Sequence, residues 1–181
     1  DFLPTGGRLS WATLECMTDL GDTSNPGGIR AYHAGDVNAS SVGSLPYRLD
    51  VPPAEDGPTV GMAPMTGICK AYIFLENIDR VPDMTDRENT IRKAEAKAII
   101  AFHYVQMLRY YGGMPWVDRS YRPDEEMKFT RMTVEETVQK TLELMKEAVQ
   151  VLPWNVSASD EGRMTAAAVL GLKSRMLQFE A

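Results

Sequence analysis

A histidine set among phenols is the raw material of general acid–base catalysis, because its ordinary pKa lies between pH 5 and 8. In AFHYVQMLRYYGGMPWVD, residues 101–118, His103 is followed by Tyr104, Tyr110 and Tyr111. Catalysis would also need a nucleophile or a paired acid, and the nearby ionisable groups are the basic Lys97 and Arg109. The other histidine, His33, lies in a distant loop. We therefore expect His103 to be structural, on a helix face and hydrogen-bonded to a neighbouring helix. Gly112-Gly113 is not a phosphate loop, since no Lys-Ser/Thr follows and no strand precedes; a left-handed helix end with Pro115 as the stop accounts for it. Asp124, Glu125 and Glu126 in RPDEEMK are consecutive acids, whereas a calcium loop alternates its ligands, so they read as solvated. Cys16 and Cys69 stand far apart without a CxxC or a histidine pair, and we expect two free, buried thiols. No catalytic residue, metal site or cofactor is assigned.

The elements that would position these residues are helical. Leu9, Ala12, Cys16 and Leu20 recur at helical spacing behind Ser10 as N-cap. From 21 to 65 the chain is rich in Gly, Pro, Ser, Asn and Asp and keeps no period, which predicts a long irregular excursion and marks it as a binding surface. Ile68, Tyr72, Leu75 and Ile78 form the stripe of a second helix, stopped by Pro82. Ala96, Ile100, Tyr104, Met107, Leu108 and Tyr111 form the stripe of a third, between about Thr85 and Tyr111, with alanines that let a neighbour approach closely. After a loop from Gly112 to Arg131, Thr133 and Glu136 make a capping box, and Val134, Val138, Leu142, Met145, Val149 and Leu152 supply a buried stripe ending at Pro153. The segment TAAAVLGLKSRMLQFEA is small and apolar on one side, with Lys173 and Arg175 on the other. It lacks a C-cap, so the chain is expected to end inside an element. Trp116 and Trp154 stand just past helix ends and are expected to pack over them. Two helical hairpins, 66–111 and 133–181, thus follow one another, the unit of a helical solenoid.

Composition narrows the partners. The chain has 181 residues, is 44% hydrophobic and carries a net charge of -6, enough for a real core and without the basic footprint of a nucleic-acid binder. It contains no apolar span long enough to cross a bilayer, and DFLPTGGRLS is not a signal peptide, so any targeting segment is expected to lie outside this chain. The sequons at Asn38 and Asn155 are short patterns that recur by chance.

Four segments in order, GICKAYIFLENID, AEAKAIIAFHYVQMLRYYGGMPWVD, RMTVEETVQKTLELMKEAVQVLP and GRMTAAAVLGLKSRMLQFEA, resemble the SusD/RagB family of outer-membrane nutrient-binding lipoproteins over about residues 61–181. Gly61, Cys69 and Tyr72 stand where the family often shows Trp, Arg and Asn. The resemblance implies an all-α superhelix of tetratricopeptide-like hairpins with a long irregular loop near the N-terminus. It further implies a single region, 1–65 as first helix plus ligand loop and 66–181 as two helix pairs, that lacks the family's C-terminal part. By the same resemblance the protein is no enzyme. It would be lipid-anchored at the cell surface through an N-terminal segment absent here, bind a glycan or oligosaccharide, and pass it to a SusC-like TonB-dependent transporter. Sugar binding needs aromatic faces and planar polar groups. The loop offers Arg30, Tyr32, His33, Asp36, Asn38, Tyr47 and Arg48 as ligand-binding candidates. A helical-repeat scaffold for another protein, and an α/α-toroid glycosidase with two facing carboxylates, are the alternatives.

Overall fold

The computed structural model describes residues 35, 64–122, 124–126 and 128–180. The expected helix at 8–20, Cys16 and nearly all of the loop 21–65 lie outside the described residues. Met65–Ala181 form one compact unit. Its helices are α1 (Pro64–Asn77), α2 (Asp86–Tyr111), α3 (Val134–Val151) and α4 (Ala166–Glu180), with short 3-10 turns at Ile78–Arg80 and Ala158–Asp160.

Proline at the first position of α1 loses no intrahelical bond there. Ile68 and Ala71 of α1 and Ile78 of the following turn are buried, while Tyr72 and Leu75 of the expected stripe are half-buried. Cys69 is a free thiol and half-buried, so the expected full burial is corrected: it sits on the flank of that stripe. At the other side of the turn, Thr85 and Glu88 form a capping box, with Glu88 N–H donating to Thr85 Oγ1 (3.3 Å) and Thr85 N–H to Glu88 Oε2 (3.0 Å). Gly67, early in α1, faces His103, late in α2, while Asn89 Nδ2, early in α2, donates to Asp79 Oδ1 (3.0 Å) just past α1. The two helices therefore run antiparallel.

Helix α2 is buried along two lines rather than the single stripe its sequence suggests. Ala94, Ala98, Ala101, Val105 and Leu108 join Met145, Ala148 and Leu152 of the α3 segment and Ala166, Val169 and Met176 of α4 in one apolar cluster. The alanines keep that contact thin. The second line, Ala96, Ile100, Tyr104 and Met107, is buried as well. Each fully buried Met, Val or Ile of this core contributes about 1.5–3 kcal/mol.

Helix α3 opens on the expected capping box, Glu136 N–H to Thr133 Oγ1 (3.1 Å) and Thr133 N–H to Glu136 Oε2 (2.8 Å). Its buried line is shifted from the expected one: Thr137, Thr141, Met145 and Ala148 face inward, Val138, Leu142 and Val149 are half-buried, and Val134 is exposed. Threonine tolerates that position because its hydroxyl can bond the helix itself. Thr137 Oγ1 donates to Thr133 O (2.8 Å) and Thr141 Oγ1 to Thr137 O (2.7 Å).

Helix α4 is started by Thr165, whose Oγ1 accepts from Ala168 N–H (3.1 Å), and is tied back to α3 by Ala166 N–H donating to Pro153 O (2.9 Å). Arg163, preceded by Gly162 at φ +90°, donates through Nε to Glu95 Oε1 (2.8 Å) and through its other nitrogen to Glu95 Oε2; Arg92 adds a third bond (3.1 Å). This buried carboxylate fixes the α3–α4 connection against α2. The result is two antiparallel helical hairpins in series, the tetratricopeptide-like arrangement expected of the sequence.

Candidate functional site

The loop joining the hairpins is built on three carbonyl contacts and one buried hydroxyl. Helix α2 ends at Gly112, φ +73°, a backbone setting natural to glycine. Arg131, from the far side of the loop, donates Nε to Gly113 O (2.8 Å) and a terminal nitrogen to Tyr111 O, covering carbonyls the helix end leaves open. Pro115 and Arg131 form the one β-bridge found among the described residues. A side chain at Gly113 would collide with the backbone of Met132 and Thr133.

Within that frame Tyr104, fully buried, donates to Pro115 O (3.2 Å) and accepts from Val117 N–H (2.7 Å). Burial pushes its phenol well above the ordinary range, so it is a fixed neutral post. Trp116 stacks on it at 4.2 Å, with the Lys140 ammonium 5.3 Å from the indole centre. Trp116 thus packs over the helix end, as expected. Farther out, the Arg119 guanidinium lies 4.1 Å over the Tyr121 ring and is held by Glu125 (2.8 Å), while Phe129 meets Tyr121 edge-on at 5.1 Å. Tyr121 O–H donates to Asp118 (3.2 Å). Glu76 of α1 accepts from Ser120 N–H (2.8 Å) and Oγ (2.5 Å), bonds that hold its carboxyl below the usual range. Tyr72, also of α1, is pushed up to about 12, by burial first and by Asp118 next.

This is an aromatic platform with a guanidinium on top, preorganised by its own hydrogen bonds. Arg119 and Phe129 remain 53% and 38% exposed, so the platform can meet a flat, polar-edged ligand from one side. Sequence reasoning did not single out Arg119, Tyr121 and Phe129, because an irregular loop offers no period; the Arg-x-Tyr spacing, which puts alternate residues on one side of an extended chain, was the available signal.

The candidate residues Arg30, Tyr32, His33, Asp36, Asn38, Tyr47 and Arg48 lie outside the described residues; between them, Gly35 occupies a turn at φ +74°. His103 is buried on α2 against Gly67, and burial lowers its imidazole to about 4. Of the three consecutive acids, Glu125 pairs with Arg119 and Glu126 with Lys128 (3.0 Å), both at the surface. Trp154 departs from expectation. It is 65% exposed, because the chain turns away at Pro153 to reach α4 and leaves the indole outside.

Residues 58–177 match the model of the SusD-like proteins, described as starch-binding and associating with the outer membrane. No curated protein matches the sequence. Among solved structures, a SusD-like protein of Bacteroides fragilis is 25% identical with a TM-score of 0.59, over 63% of this chain and 22% of that one. A laminarin-binding SusD-like protein shares the fold at 19% identity with a TM-score of 0.68, over 87% of this chain and 31% of its own. The surface glycan-binding protein A from Bacteroides thetaiotaomicron, solved with laminarihexaose, shares it at 22% identity and a TM-score of 0.55, over 65% and 24%. This chain therefore spans between about a fifth and a third of these relatives' lengths.

Proposed function

Since the chain belongs to the SusD-like family, starch-binding proteins that associate with the outer membrane, we propose that it is the N-terminal helical portion of a cell-surface, lipid-anchored protein. That protein captures a glycan or similar oligomeric nutrient and delivers it to a SusC-like TonB-dependent transporter. The family match across residues 58–177, which takes in the larger part of every described helix, carries this reading. The geometry supports it physically: rigid hairpins hold a fixed aromatic loop, and binding loops on a stiff scaffold need little ordering when a ligand arrives. Capture would use stacking and hydrogen bonds and no bond-breaking step. Arg30, Tyr32, His33, Asp36, Asn38, Tyr47 and Arg48 are the proposed ligand contacts of the loop 21–65.

Affinity electrophoresis in gels containing starch or laminarin tests the reading. The chain should be retarded by at least one polysaccharide, the Tyr32→Ala/Tyr47→Ala variant should run closer to its position in an empty gel, and no reducing ends should be released. Free migration in every polysaccharide would favour the protein-scaffold alternative. Hydrolysis of the bound glycan would overturn the non-enzymatic reading.

A further inference from the structure

Helix α4 is packed on one side only. Ala166, Val169 and Met176 enter the core shared with α2 and α3, whereas the large residues Leu170, Leu177 and Phe179 stay 36%, 41% and 57% exposed. Leu170 and Leu177 stand two turns apart and so share a side. Ala167, Gly171 and Ser174, which recur at i, i+4 and i+7, are exposed as well. A carbon added at Gly171 would meet nothing within 4 Å. From Leu170 to Phe179 the uncovered strip is about 14 Å long by the rise of a helix.

Beside the end of this strip, a groove of about 290 Å³ opens between the second half of α2 and the last turns of α4. Val105, Leu108 and Met176, all buried, line it together with Phe179. The charged groups of the lining are Arg109 and Arg175, with no acid among them. Arg109 donates Nη1 to the neutral Gln106 (3.1 Å), and Arg175 makes no hydrogen bond or ion pair among the described residues.

Two guanidiniums beside apolar carbon suit a carboxylate carried on an apolar body. A single acidic sugar would fill the groove and leave the strip bare. A helix with an acid at the groove and apolar residues along the strip covers both, at the close axial distance that small residues allow. In a helical solenoid each hairpin buries its outer side only against the next one. The matched SusD-like structures are several times longer, this chain covering 22% and 31% of two of them. A polypeptide leaving α4 starts beside the groove, at the high effective concentration of a covalent attachment. We infer that the outer side of α4 and the adjoining groove are the docking surface for the segment of the same protein that follows residue 181, a helix with apolar residues along Leu170 and Leu177 and a carboxylate at Arg109 and Arg175. The inference rests on the reading of this chain as the N-terminal portion of a longer protein, and it requires no glycan.

The test is thiol labelling of the whole protein, extending past residue 181, with Leu177→Cys or Phe179→Cys, the new thiol being followed by mass spectrometry of its own peptide. Both positions are open in this helical unit, so a slow reaction requires something to cover them. Each should react with a maleimide at least about a hundredfold more slowly in the folded protein than in urea, the scale of a segment that must first open. Dilution should leave those rates unchanged. Adding Arg175→Glu should speed both about tenfold, because it sets like charges across the groove. An unchanged rate there refutes the carboxylate contact. Labelling within about threefold of the urea rate, or protection that fades on dilution and so belongs to a second copy, overturns the docking surface and leaves the family reading standing. An intact mass showing that the natural polypeptide stops at residue 181 removes both.

Discussion

Replacing Gly113 by alanine should damage this protein more than replacing its neighbour, and the reason is contact rather than backbone angle. A Cβ at Gly113 would stand 2.2 Å from Met132 O, 2.6 Å from Thr133 C and 2.9 Å from Thr133 O. Ordinary contact begins at 3.4 Å, so the 131–133 backbone would have to retreat by more than an ångström, and no side-chain rotation can absorb it. That retreat pulls on Arg131 Nε–Gly113 O (2.8 Å), Met132 N–Met114 O (3.3 Å) and Met114 N–Thr137 Oγ1 (3.1 Å). Loss of two such bonds costs about 1–3 kcal/mol and the overpacking itself about 1–3, giving about 2–6 kcal/mol for Gly113→Ala. Gly112→Ala meets Val134 Cγ2 at 3.5 Å and Arg131 Nη2 at 3.8 Å, both ordinary contacts, and its cost comes chiefly from φ +73° with ψ -142°, a region essentially confined to glycine, about 1–3 kcal/mol. Urea unfolding followed by circular dichroism measures both against wild type. A Gly113→Ala protein within about 1 kcal/mol of wild type, or less destabilised than Gly112→Ala, would refute the argument.

Two buried threonines that look alike should behave differently. Thr137→Val leaves the buried Met114 N–H without its acceptor and should cost about 1–3 kcal/mol, whereas Thr141→Val removes only a hydroxyl bonded within its own helix and should cost about 1 kcal/mol or less; equal urea midpoints would contradict this. For His103 the folded value of about 4 lies below the ordinary 6.5, so the unfolded chain takes up the proton first as the pH falls. Its stabilising contribution is complete above pH 6.5 and declines toward pH 4, by roughly 3 kcal/mol in all. His103→Gln should therefore flatten that part of the stability–pH curve relative to wild type, and parallel curves would show that the imidazole is not buried neutral.

The boundaries of the helices were legible because capping is local: Thr133 and Glu136 read directly as a box, and the structure forms it. The facing of the helices was less so. Helix α2 is buried on two sides, and a helix without a polar face has no stripe to locate, so the pattern read from Ala96 to Tyr111 was half of the buried surface. In α3 the apolar residues misplaced the inner line, since Thr137 and Thr141 carry hydroxyls that the helix itself can satisfy.

The histidine that first looked like chemistry shows why a site is harder to read than a scaffold. Its residue type suggested a base, but Gly67 allows α1 to come close enough that a single added carbon would lie 2.4 Å from His103 Nε2. Such closeness makes His103 a packing element, and it is set by a residue 36 positions away whose own side chain is only a hydrogen. Trp154 teaches the converse. Its place after a helix end predicted packing, yet the direction taken by the chain from Pro153 to Ala166 decides that the indole is left outside. Local sequence specifies which groups exist. What they are free to do depends on which partners the fold gives them: at the start of α2, Glu88, Arg92 and Lys93 are engaged by Thr85, Glu95 and Asp79, and His103 is enclosed by the approach of α1.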